Sequence, residues 1–233
     1  MNRVVLHTIG QTPRPDLTPF IAATLGVPDI VVTGALDGLS AADLPPVAPG
    51  DFPLETRLSD GTRVEVGAAF LQPLIQQRIR EQEAAEVPNQ VHLVVCAGPF
   101  PDLRAEGELI RPFEYACETF SARGWSRPLV LVPFEGQVAP AREKWVRAGF
   151  APLLRAMDGR PADAAADRWL VEVSRDPAAL DCDVFVLDYV GYPRTILNRI
   201  GAQLDIPVVD LGHLATDHTR DLLDEMSGRG PKG

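Results

Sequence analysis

Apolar positions along the chain fall into two patterns, short unbroken runs and longer stretches of helical spacing. Val4-Val5-Leu6-His7-Thr8-Ile9, Ile30-Val31-Val32-Thr33, Val91-His92-Leu93-Val94-Val95, Pro128-Leu129-Val130-Leu131-Val132-Pro133, Val184-Phe185-Val186-Leu187 and Ile206-Pro207-Val208-Val209 are unbroken runs. Such runs mark strands buried on both faces of a parallel sheet. A further short strand is predicted near Phe150–Leu154. Between the runs, helices are predicted over Leu17–Leu25, Ala68–Ala85 (Phe70, Leu71, Leu74, Ile75 and Ile79 at helical spacing), Glu108–Ala122, Val138–Ala148, Arg194–Gln203 and Leu214–Met226. Leu54–Leu58 and Thr62–Val66 alternate about Ser59-Asp60-Gly61, which predicts a β-hairpin. Pro45–Gly50 reads as a surface loop, and a polar loop reaches about Asp167.

Strands alternating with helices predict an α/β fold with mostly parallel sheets. Two pairs of strand endings match. Gly10-Gln11 follows the first strand as Gly136-Gln137 follows the Pro128 strand, and aligning Gly98 with Gly191 sets Cys96 opposite Tyr189. The chain therefore reads as a pseudo-duplication: an N-terminal α/β lobe over residues 1–125, a C-terminal α/β lobe over 126–210, a helix at 211–226 packing back on the lobes, and a disordered tail at 227–233.

Composition narrows the function classes. A net charge of −10 argues against a phosphate-backbone partner, so no nucleic acid is expected. No apolar stretch approaches the ~18 residues needed to span a bilayer, and Met1-Asn2-Arg3-Val4 enters a strand with no signal-peptide pattern. With three cysteines and no C-x-x-C spacing, these features predict a cytoplasmic protein with reduced thiols. The four histidines form no H-x-x-x-H pair, so no metal centre is expected. Only two lysines occur, and Lys144 falls in a polar, helix-like run, which disfavours Schiff-base chemistry. No G-x-G-x-x-G follows the first strand, which weakens a dehydrogenase reading.

The candidate chemistry starts at Cys96, at the carboxyl end of a buried strand and before the turn Ala97-Gly98-Pro99, where open α/β sheets place ligands. A small buried core residue is the alternative. Arg14, between two prolines, suits a carboxylate, unless it pairs with Asp16. Gln11 and Thr12 stand at the same loop, and Asp16 is placed to cap the following helix. Glu135 and Gln137 hold the matching position in the second half, and Gly191, Tyr192 and Arg194 lead into a helix N-terminus that favours an anion. Arg57 is assigned a structural or interface role. Cys117 and Cys182 are read as structural.

Ile9-Gly10-Gln11-Thr12-Pro13-Arg14-Pro15-Asp16, Gly34-Ala35-Leu36-Asp37-Gly38-Leu39, Thr56-Arg57-Leu58-Ser59-Asp60-Gly61, Cys96-Ala97-Gly98 and Leu187-Asp188-Tyr189-Val190-Gly191-Tyr192 together resemble the AroM family, and through it the aspartate/glutamate/hydantoin racemase superfamily. The resemblance implies two pseudo-symmetric α/β lobes with an active site between them, no cofactor, and a thiol from each lobe acting as acid and base. This sequence departs twice. It has Cys96-Ala97-Gly98 where the family has Cys-Thr-Gly, and Tyr189-Val190 where the family has Cys-Met. Cys182 lies about 20 Å or more from the far end of its strand at ~3.3 Å per residue, so it cannot supply the second thiol.

An ordinary phenol is a sound proton donor, but holding it as phenolate at pH 7 costs roughly 4 kcal/mol. The expectation is therefore a cofactor-independent isomerase or lyase acting on a small carboxylate, with Cys96 and Tyr189 catalytic. Gln11, Thr12, Arg14, Gly98, Glu135, Gln137, Gly191, Tyr192 and Arg194 would contact substrate. The rival expectation is a catalytically degenerate relative that binds a small acid or a protein partner. A homodimer is the default assembly.

Overall fold

The structure is a computed structural model that describes residues 2–85, 87–156, 181–202 and 204–228. Its strands are β1 (Arg3–Thr8), β2 (Ile30–Gly34), β3 (Pro53–Arg57), β4 (Arg63–Gly67), β5 (Gln90–Val95), β6 (Glu108–Ile110), β7 (Pro128–Val132), β8 (Leu153–Ala156), β9 (Val184–Leu187) and β10 (Val208–Asp210). The helices are α1 (Thr18–Leu25), α2 (Ala68–Glu83), α3 (Pro112–Ala122), α4 (Val138–Arg147), α5 (Arg194–Gly201) and α6 (Leu211–Met226). The polar loop expected to reach Asp167 lies mostly outside the described residues, as do positions 229–233 of the expected tail. Among the described residues no helix is long and apolar enough to cross a membrane.

The chain divides into two compact units, Met1–Pro112 with Ala215–Gly233, and Phe113–Leu214. Each carries a four-stranded parallel sheet, ordered β2-β1-β5-β6 in the first and β8-β7-β9-β10 in the second. The two orders correspond strand for strand in chain sequence: the first strand of each unit sits inside, its successor on one side, the next two on the other. By that correspondence β5, which leads into Cys96, is matched by β9, which leads into Tyr189. This is the duplication that the paired strand endings predicted.

Every residue of β5, β7 and β9 is buried, as their unbroken apolar runs require. In the first unit α2 lays Leu71, Ile75 and Ile79, all at 0% exposure, against Ile9, Leu36, Val94 and Cys96. Fully burying each such side chain contributes about 1.5–3 kcal/mol. The hairpin β3–β4 pairs Thr56 with Val64, so Leu54, Thr56 and Leu58 are buried while Glu55 and Arg57 are exposed.

Three element boundaries differ from expectation by three residues or more. The predicted helix over Glu108–Ala122 begins only at Pro112, and Glu108–Ile110 pairs with β5 as β6. A proline suits the first helical turn and biases the residue before it toward extended backbone. The strand expected near Phe150 starts at Leu153, after Pro152, which has no N–H to give the ladder. The last helix begins at Leu211 because Asp210 Oδ1 accepts the N–H of His213 at 2.8 Å.

Two histidines of the strand runs meet inside the first unit. His7 Nε2 lies 2.9 Å from His92 Nδ1, and His7 Nδ1 lies 2.8 Å from Thr33 Oγ1. Burial, then the neighbouring His92, pushes His7 down to about 3, and burial likewise lowers His92 against the pull of Glu83. Both rings are therefore neutral in the fold, whereas in the unfolded chain each takes a proton near pH 6.5. The unfolded state binds more protons below that pH, so the contribution of His7 is complete above about 6.5 and is lost as pH falls toward about 3. Urea midpoints are expected to fall between pH 7.5 and 5 more steeply for the native sequence than for His7→Leu. Parallel pH dependences would contradict neutral burial of His7.

Candidate active site

In the first unit the register sets Thr8 beside Gly34 and Val95, so the loops leaving β1, β2 and β5 emerge side by side at the carboxyl edge of the sheet. Cys96 is the first residue past β5 and is 7% exposed. The N–H of Gly98 donates to its sulfur at 3.3 Å. A backbone donor at that place is one that a thiolate accepts from more strongly than a thiol. Gly98 has no room for a side chain: a Cβ there would lie 2.9 Å from a methyl of Leu54.

The loop after β1 is a hydrogen-bonded frame. Gln11 Nε2 donates to the carbonyls of Leu36 (2.8 Å) and Leu39 (2.6 Å), and its Oε1 accepts from the N–H of Ser59 (2.7 Å). Thr12 donates through N–H and Oγ1 to the Asp37 carboxylate at 2.7 and 3.0 Å. Asp37 also takes the N–H of Gly34 at 2.8 Å. Arg14 holds Asp16 by Nε and Nη2 at 2.8 and 2.9 Å and reaches Thr8 Oγ1 by Nη1 at 2.7 Å. The helix-cap reading of Asp16 is overturned: α1 has no side-chain cap, and the carboxylate is spent on Arg14. That hydrogen bond, with Arg57 nearby, holds the Asp16 carboxyl below the ordinary carboxylate range. Gln11 and Thr12 thus brace the loop that carries Arg14.

In the second unit Asp188 follows β9 directly and its N–H continues the ladder to Leu131 O at 2.9 Å. Tyr189 is half-buried and meets Tyr192 edge to face, with ring centroids 5.6 Å apart. Gly191, at φ 126°, adopts backbone that other residues avoid, which fixes glycine in this turn. Tyr192 is 1% exposed, a core side chain whose carbonyl accepts from His213 Nε2 at 2.7 Å. Its ring is therefore packed in the interior of the unit. Glu135 and Arg194 are exposed, the latter at the start of α5, while Gln137 is 4% exposed at the end of a short 3-10 turn.

The sequence reading missed the group behind Tyr189. Lys144, expected in a polar run, is buried. Its Nζ sits 2.8 and 2.7 Å from the two oxygens of Asp188 and 4.3 Å from the Phe113 ring centroid. Trp145 Nε1 donates to Asp188 Oδ2 at 2.8 Å. The residue before Tyr189 is thereby fixed through both backbone and side chain. Asp188 carried a signal, since an acid ending a buried strand needs a partner; the partner lies 44 residues away and has no local mark. Nearby, burial pushes the Cys117 thiol up to about 12, against the pull of Lys144, so it stays protonated at neutral pH. On the other side of the turn, burial raises the Asp210 carboxyl to about 8 against the amides of His213 and Gly212. Among the described residues no group of His, Cys, Asp and Glu is arranged to hold a metal ion.

A family model described as AroM protein matches residues 4–223. The fold is shared with several solved structures at low identity. One is an aspartate racemase homologue from Pyrococcus horikoshii OT3, with TM-score 0.59, 9% identity, and 95% of this chain and 99% of that chain covered. Another is unliganded arylmalonate decarboxylase, with TM-score 0.59, 14% identity, and 100% and 95% covered. A third is a Nocardia farcinica maleate cis-trans isomerase mutant bearing a covalently bound succinylcysteine intermediate, with TM-score 0.57, 14% identity, and 96% and 93% covered. No curated protein matches the sequence.

Proposed function

Because this chain belongs to the AroM family, whose fold is that of the Asp/Glu racemase superfamily, we propose that it is a cofactor-independent isomerase- or lyase-type enzyme acting on a small carboxylate. Cys96 is the nucleophile or acid/base and Tyr189 the proton donor. The observation that carries this reading is the place of Cys96: one residue beyond the ladder of a buried parallel strand, with the Gly98 amide on its sulfur.

As a base, the Cys96 thiolate removes the proton from the carbon beside the carboxylate. The C–H electron pair passes into the carboxylate as an enediolate, and the carbon takes a proton back from the thiol or from the Tyr189 hydroxyl. As a nucleophile, the thiolate adds to an unsaturated carbon. The displaced pair again forms an enediolate, the new single bond rotates, and expulsion of the thiolate restores the double bond. The first route is one-sided enolisation or, with loss of carbon dioxide supplying the pair, decarboxylation. Arg14, supported by Gln11 and Thr12, binds the carboxylate as an ion pair. Symmetrical two-thiol racemisation is disfavoured because Tyr189 stands where the family has its second cysteine.

Incubating the protein with a panel of small carboxylates in heavy water tests this. Deuterium uptake or turnover with at least one acid is expected, and none with any acid counts against an enzyme.

A second reading, a non-catalytic small-acid binder, is favoured by one feature. The side chains of Gln11, Thr12 and Arg14 are engaged with Leu36, Ser59, Asp37, Asp16 and Thr8, as a scaffold's would be. Carboxylate binding without exchange or turnover identifies it.

A further inference from the structure

The hairpin strand β3 lies along the carboxyl edge of the first sheet, and its two inward residues cover two glycines. Leu54 covers Gly98, beside Cys96. Two residues on, Thr56 covers Gly10: a Cβ on Gly10 would lie 2.5 Å from Thr56 Oγ1 and 3.3 Å from Arg14 Nη1. The threonine hydroxyl and the guanidinium edge thus converge on one bare Cα, one strand away from the cysteine turn.

The neighbouring groups at this corner are hydrogen-bonded to one another. Arg14 Nη1 donates to Thr8 Oγ1 at 2.7 Å, Gly10 N donates to the same hydroxyl at 3.3 Å, and Gln11 N donates to Arg57 O at 3.0 Å. Thr56 is 5% exposed, yet its hydroxyl has no hydrogen-bond partner among the described residues. A buried hydroxyl left unmatched destabilises a fold, and valine would fill the same volume without that cost. Arg14, for its part, spends three N–H donors on Asp16 and Thr8, of the five a guanidinium carries.

We infer that Thr56 is a substrate-binding residue: its hydroxyl, with the Arg14 guanidinium, forms a carboxylate-binding corner over Gly10 on the strand that also covers the Cys96–Gly98 turn. This deepens the proposed function and rests on its premise that a small carboxylate is the substrate. The hydroxyl donates one hydrogen bond to a carboxylate oxygen, and the guanidinium supplies the opposite charge. Gly10 is required because a larger residue would displace both groups.

The test separates binding from stability. Maleate and malonate, then a wider panel of mono- and dicarboxylates, are titrated by calorimetry into the native protein, Thr56→Val and Thr56→Ser, and each Tm is measured. The expected result is that Thr56→Val weakens binding about tenfold or more while its Tm is unchanged or higher, since a buried unmatched hydroxyl has gone. Thr56→Ser, which keeps the hydroxyl, should bind within about threefold of the native protein. Binding to Thr56→Val as tight as to the native chain overturns the inference and leaves the proposed function standing. Loss of binding accompanied by a fall in Tm also overturns it, because the hydroxyl would then be structural. A native protein that binds no acid of the panel overturns both readings together.

Discussion

Replacing Cys96 with alanine is expected to reduce turnover of any accepted carboxylate by about 10³-fold or more, within the upper range for a positioned acid–base group. The same change should have a small effect on folding. Sγ is one atom in a core cluster whose bulk comes from α2, the β3–β4 hairpin and Phe100 and Leu103, and alanine leaves the strand ladder and the Gly98 turn intact. Tyr189→Phe tests the opposing role. It removes a hydroxyl from a half-buried ring that keeps its edge-to-face contact with Tyr192, so stability should hold while the protonation step slows. If Tyr189 donates the proton, the phenylalanine variant still exchanges the substrate proton through Cys96 but forms product more slowly. Equal retention of both activities would remove Tyr189 from the mechanism. Steady-state rates beside deuterium exchange distinguish these outcomes.

The largest stability effect is expected at the buried pair behind that tyrosine. Lys144 and Asp188 have side chains 3% and 2% exposed, and neither charge has water to fall back on. Lys144→Met leaves an uncompensated carboxylate in the interior and should cost about 3–5 kcal/mol. Adding Asp188→Asn to Lys144→Met should restore much of that loss. The amide carbonyl of asparagine can still accept from Trp145 Nε1, and no buried charge then remains. Urea denaturation of the two single variants and the double variant gives the coupling directly. A Lys144→Met loss below about 1 kcal/mol would mean that the pair is solvated in solution. Asp188 is covalently next to Tyr189, so loosening its carboxylate frees the turn that carries the phenol.

What the sequence shows of this fold is what repeats at short range. The buried strands, the hairpin about Asp60-Gly61 and the stripe of Leu71, Ile75 and Ile79 each declare themselves within a few residues, and the structure has them there. The paired endings at Gly98 and Gly191 revealed the duplication, since the same topology produces the same turn after the matching strand. The short strand β6 was hidden because its three residues precede a proline-started helix with no apolar run of their own. Long-range pairing was not legible. His7 finds His92 across 85 positions, and Lys144 finds Asp188 across 44, through sheet register and helix packing rather than local pattern. The same is true of the site: Gln11 looked like a ligand-facing amide, and only its three bonds to Leu36, Leu39 and Ser59 show it bracing the loop.

The central claim is that the sulfur of Cys96 is where a small carboxylate reacts. Competitive alkylation read by peptide mass spectrometry tests it most directly, with Cys117 as an internal control because burial keeps it protonated at neutral pH. The predicted result is rapid labelling of Cys96 over Cys117, slowed at Cys96 alone by an acid that supports deuterium exchange. Labelling of Cys96 that is no faster than that of Cys117, or that no carboxylate slows, would contradict it.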